Sequence, residues 1–122
     1  MLKGIDFREE MSERFLTFAV NMVKLGGKMH KRFETRHVYQ QLFRSGTGAG
    51  ANYEESHSAQ SKKDFIHKRE VSLKELRESL FWLRLTDRAE LSKPNDILSW
   101  LLQENRELIK ILAKGVSTTK NN

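Results

Sequence analysis

The chain has 122 residues, with 22 Lys and Arg against 16 Asp and Glu, no Cys and a single Pro. This length makes one domain, and the lack of Cys excludes disulfides, thiolate metal sites and a cysteine nucleophile, which suits a reducing cytoplasm. No apolar run approaches the ~18 residues of a membrane span, so no membrane partner is expected, and MLKGIDFREEM lacks the apolar core of a secretory signal. The net charge of +6 favours an anionic partner, with nucleic acid first.

Apolar residues recur at intervals of three and four along the chain. Phe7, Met11, Phe15, Phe18, Met22, Leu25 and Met29 predict a first helix, and Asp6 with Glu9 reads as a capping box that opens it. The polar stretch His30–Thr35 predicts the first turn, and a second periodic segment runs from about Arg36 to Ser58. Ser61-Lys62-Lys63-Asp64 predicts a short break. A third helix follows to about Arg88, with Ile66, Leu73, Leu76, Leu80 and Leu83 as its stripe. Ser92-Lys93-Pro94-Asn95 joins cap residues to the only proline, so a fourth helix begins there. Leu98, Leu101, Leu108 and Leu112 carry its seam, and Asn105 interrupts it. Gly115 is expected to end that helix, leaving a single domain over residues 1–114 and a flexible tail over 115–122. Four helices of roughly 20–25 residues with short loops predict an all-α, antiparallel up-down-up-down four-helix bundle.

Gly46, Gly48 and Gly50 fall within SGTGAGAN, residues 45–52. The G-x-G-x-G spacing matches neither a Walker A loop nor a dinucleotide fingerprint, and a helical pattern rather than a strand precedes it. Gly46 and Gly50, four apart, share one helix face, and each costs about 1 kcal/mol of helix propensity relative to Ala. Close packing by a neighbouring helix is the expected compensation. Arg44, Gly48, Asn52 and Glu55 share another face of the second helix, and Lys68, Ser72, Glu75, Ser79 and Trp82 one face of the third. In a hairpin turning near residue 61, Glu55 falls near Lys68, Asn52 near Arg69 and Glu70, and Arg44 near Glu75 and Glu78. A partly buried polar network fixing register or a subunit interface is favoured over a merely solvated charged face.

The stretch QQLFRSGTGAGANYEESHSAQSKKDFIHKREVSLKELRESLFWLRL resembles the core of the bacterial four-helix-bundle proteins known as 23S rRNA intervening-sequence proteins. Gln41, Leu42, Arg44, Ser45, Gly46, Thr47, Gly50, Ala51, Asn52 and Glu55 follow the first part of the family pattern. Ser61, Asp64, Phe65, Ile66, Lys68, Leu73, Lys74, Glu75, Glu78, Ser79, Trp82 and Leu83 follow the rest. Gly48 and Ala49 depart from the usual Ser-Ile, and Ser56 from a common Ala. The resemblance implies closed rings of identical bundles, commonly homopentamers. It also implies a genomic association with 23S rRNA genes, without catalytic residues. A similar basic bundle is an accessory protein to a reverse transcriptase in diversity-generating retroelements.

If the first and third loops share one end, they gather Lys24, Lys28, Lys31, Arg32, Arg36, Arg84, Arg88 and Lys93 against Glu34, Asp87, Glu90 and Asp96. Lys28, Lys31, Arg32, Arg36 and Arg88 are the leading candidates for phosphate contact, and a pentameric ring would make such binding strongly salt-dependent. Tyr39, Tyr53 and Trp100 are the aromatics expected to be exposed. The four His residues show no i, i+4 pairing, so no metal or other cofactor is expected. Arg32 and His37 fit the R-x4-H spacing of HEPN-type ribonucleases, but such a pair arises easily by chance in a basic stretch. Glu54, Glu55, Glu75 and Glu78 lack the Glu-x-x-His motifs of a di-iron bundle. The expected function is therefore non-enzymatic: a self-assembling bundle that binds nucleic acid, RNA favoured. The alternative is a protein–protein scaffold whose charge serves solubility.

Overall fold

A computed structural model of the chain describes residues 5–122 and contains four helices: α1 (Ile5–Gly26), α2 (Phe33–Ser56), α3 (Lys62–Arg88) and α4 (Asp96–Lys120). Each helix packs on two others in a closed cycle, α1 on α2, α2 on α3, α3 on α4 and α4 on α1, with the α2–α3 contact the most extensive. The fold is an all-α bundle. Among the described residues none of the helices is long and apolar enough to cross a membrane.

Local sequence explains most helix ends. Ser61 caps α3 by accepting the Asp64 N–H at 3.0 Å, and Asn95 caps α4 by accepting the Leu98 N–H at 2.8 Å. Two ends depart from expectation. Ile5 is already helical, so Asp6 sits inside the first turn, where it complements the helix dipole, and is not the N-cap of a capping box. Gly115 does not end α4, which continues to Lys120. The apolar seam steps on from Leu112 to Val116, which is buried, and Lys120 pairs with Glu70 of α3 at 2.6 Å. The helix is therefore held in place beyond the glycine. α2 also begins earlier than its periodicity suggests, at Phe33.

The α3 C-terminus uses a Schellman turn. The Leu91 N–H donates to Thr86 O and the Glu90 N–H to Asp87 O, with Glu90 left-handed at φ 52°. Buried Leu91 then anchors the start of the loop to α4.

Phe15, Phe18, Met22 and Leu25 of α1 fill the centre of the bundle with Leu42, Leu76, Leu83, Leu101 and Leu108. Tyr53 stacks on Phe15 with ring centroids 4.7 Å apart. Gly46 and Gly50 both face α1. A Cβ on Gly46 would come within 2.9 Å of Met22 Cγ, and one on Gly50 within 3.2 Å of Phe15 Cβ. Phe7, expected in the seam, is exposed, and Ile66 and Leu80 are half-buried. Polar residues cross the core on hydrogen bonds: Ser79 donates to Asn105 Oδ1 at 2.7 Å, Asn105 to Leu76 O, and Ser72 to Ala49 O at 2.6 Å.

Candidate nucleic-acid interface

The loops at residues 27–32 and 89–95 are zipped together by their backbones. The His30 N–H donates to Leu91 O at 2.9 Å, and the Lys93 N–H donates to Lys28 O at 2.8 Å. Arg32 adds a side-chain bond to Glu90 O at 3.3 Å. Chain segments distant in sequence thus form one surface carrying Lys28, Lys31, Arg32, Arg36, Arg88 and Lys93, all exposed. Among the described residues none of these six has a carboxylate within 4.0 Å. Their charge is directed outward.

Two features of this surface did not emerge from the sequence reading. Phe33 is 82 % exposed and stands between Arg32 and Arg36. It lies out of phase with the buried positions Thr35, Val38 and Leu42, and that phase is the signal that could have found it. The second is the start of α2, where Arg32 is the N-cap in extended conformation and makes no side-chain cap hydrogen bond. Uncapped N–H groups and the positive end of the dipole suit an anion. Beside them a cleft of about 530 Å³ opens between α1 and α2, lined by His30, Lys31, Arg32, Thr35 and Arg36.

The aromatics expected at the surface are placed differently. Tyr39 is half-buried and donates to Met22 O at 2.8 Å, and Tyr53 is in the core. Only Trp100 of the three is exposed, beside the unanticipated Phe33, Phe43 and Phe81. Arg32 and His37 turn to separate partners, His37 lying edge-on to Trp82 at 6.1 Å.

The polar residues of α2 and α3 form two separate sets rather than one seam. Arg44 bridges Glu75 (3.2 Å) and Glu78, and Glu78 also accepts from Trp82 Nε1 at 3.1 Å. Gly48 makes room for this set, since a Cβ there would lie 2.8 Å from Glu75 Oε2. Lys68 pairs with Glu55 at 2.7 Å nearer the other end. Asn52 bonds within its own helix, to Gly48 O, and reaches neither Arg69 nor Glu70. An ion pair that sequence reading missed, bidentate Arg14–Glu104, ties α1 to α4 at 2.6 and 2.9 Å.

A third surface is apolar. Leu16, Val20 and Val23 stand on one face of α1 at 57, 42 and 58 % exposure. Beside Leu16, a groove of about 430 Å³ runs along α1 and α2, lined by Ala19, Thr47, Gly50 and Ala51. Phe43 is exposed on the neighbouring helix, next to Tyr39.

Comparison with known proteins agrees with this architecture. No curated protein matches the chain. A crystal structure of a protein of unknown function from the S23 ribosomal protein family of Bacteroides thetaiotaomicron is similar, with 33% identity and a TM-score of 0.75 over 86% of this chain and 96% of that one. The family described as 23S rRNA-intervening sequence protein matches residues 10–114, nearly the whole bundle. The chain belongs to the 23S rRNA-intervening sequence protein family.

Proposed function

We propose that this protein is a non-enzymatic, self-associating bundle that binds structured RNA, or other nucleic acid, through its zipped-loop end. One observation carries the reading: Lys28, Lys31, Arg32, Arg36 and Arg88, all without carboxylate partners among the described residues, share the zipped-loop end with an exposed Phe33 and the uncapped start of α2. Lysine and arginine neutralise phosphates, the helix start accepts an anion, and the phenyl ring offers a stacking face to an unpaired base. Late Glu55 of α2 meets early Lys68 of α3, while the earlier Arg44 meets the later Glu78, an opposite order along the two helices that supports an antiparallel up-down-up-down course. Self-association uses the apolar α1 face of Leu16, Val20 and Val23, because a lone soluble domain rarely leaves such a stripe in water. Family resemblance favours a ring of five.

Fluorescence anisotropy with a structured rRNA fragment, a duplex DNA and heparin, across a salt series, tests the reading. RNA binding that survives physiological salt and exceeds heparin binding supports it. Equal, weak binding to all three, lost as salt rises, overturns it. In that case the α1 face is the better clue, and the protein is a scaffold for another protein.

A further inference from the structure

At the other end of the bundle a cleft of about 460 Å³ opens between α1 and α4, floored by Phe7, Met11, Ile111 and Leu112, with Arg69 and Lys114 as its charged groups. Among the described residues no carboxylate lines it. We propose that this cleft binds an amphipathic carboxylate, of the size and polarity of a medium-chain fatty acid. This rests on none of the residues assigned to nucleic acid above.

The Arg69 guanidinium packs over the rings of Tyr53 and Phe65, its central carbon 4.2 and 4.3 Å from their centroids. Its Nε donates to the Ser56 hydroxyl at 2.6 Å. Two aromatic faces and one hydrogen bond hold the group, yet among the described residues it has no carboxylate within 4.0 Å. Glu54, the acid closest in sequence to its tyrosine, lies 3.7 Å from His57 Nδ1. A half-buried, oriented and unpaired guanidinium is suited to a planar carboxylate, which it can grip through two parallel N–H bonds. The apolar floor accounts for a hydrocarbon tail, and the volume lies within the range of small-molecule sites.

Gly115 is the independent observation. It lines the same cleft, in the interior of α4, where glycine is less favourable than Ala. Gly46 and Gly50 have Met22 and Phe15 against them, whereas a Cβ on Gly115 would meet nothing within 4 Å among the described residues. No packing within the described chain requires glycine there. Its absent side chain keeps the cleft open for a molecule from outside.

Isothermal titration calorimetry with octanoate, octanol and inorganic phosphate separates the contributions of head and tail. Octanoate should bind at least tenfold more tightly than either octanol or phosphate. Arg69→Met should lose at least tenfold in octanoate affinity. Gly115→Leu, which fills open space, should abolish binding while helicity is kept and melting is unchanged or raised. Equal affinity for octanoate and octanol, equal affinity for phosphate, or octanoate binding unaffected by Gly115→Leu in a folded protein would each overturn the proposal.

Discussion

Thr35 illustrates how single polar atoms set local stability in this bundle. Its Oγ1 is buried with no hydrogen-bond partner among the described residues, beneath the cleft at the start of α2. An unsatisfied buried hydroxyl is unfavourable by about 1–3 kcal/mol, so the near-isosteric Thr35→Val should raise stability by about 1 kcal/mol, measured by urea denaturation. His57 is the second case. Burial, reinforced by Arg69 and Arg8 against the opposing pull of Glu54, lowers its pKa below the ordinary 6.5. The unfolded chain therefore binds the proton more readily than the folded one, and this contribution to stability falls as pH drops below about 6.5 toward the lowered folded value. Denaturation midpoints should decline from pH 7.5 to pH 5.5, and His57→Gln should flatten that decline. Neither residue was legible as special in the sequence, since a Thr or His looks the same whether its polar atoms end in water or in the core.

At the scale of elements, the informative position is Glu90. It occupies the left-handed residue of the Schellman turn that ends α3, a place where glycine avoids the Cβ clash. Glu90→Gly should stabilise the bundle by about 0.5–1 kcal/mol. Because Glu90 is also an acid beside the basic loops, the same variant should bind RNA more tightly, which anisotropy would read. The glycines of α2 were legible as a close-packing device because two lie four apart on one face. Which neighbour they admit was not: Gly46 and Gly50 face side chains of α1, while Gly48 faces Glu75 of α3. Gly115 misled for a related reason. A glycine after a leucine seam reads as a stop, but buried Val116 and the Lys120–Glu70 pair carry α4 onward.

For the whole molecule, two surfaces stand out, the basic zipped-loop end and the apolar face of α1. Lys31→Glu with Arg32→Glu reverses two exposed cations at the zipped loops, where neither side chain supports the core. Affinity for RNA should fall at least tenfold with a shallower salt slope, while the melting temperature stays within a few degrees. Val20→Glu with Val23→Glu should instead act on assembly. Sedimentation velocity should show the wild type as an oligomer and the variant as a monomer of unchanged helicity. A variant that dissociates and loses RNA affinity together would tie binding to multivalency rather than to one bundle.

Heptad-like spacing, the caps at Ser61 and Asn95, the single proline and the block from Gln41 to Leu83 were sufficient to specify four helices and their family, because helix periodicity and capping are local properties. Pairs such as Glu55 with Lys68 followed from the same local regularity, since one short loop sets the register of two long helices. What tertiary structure decided was which side of each helix was left over. Leu16, Val20 and Val23 repeat as regularly as any core stripe, and Phe33 is as apolar as Phe18. Only the position of the other three helices determines which stripe is covered. The Arg69 cleft arises in the same way, from residues of all four helices meeting at one end, where no spacing within a single helix foreshadows it.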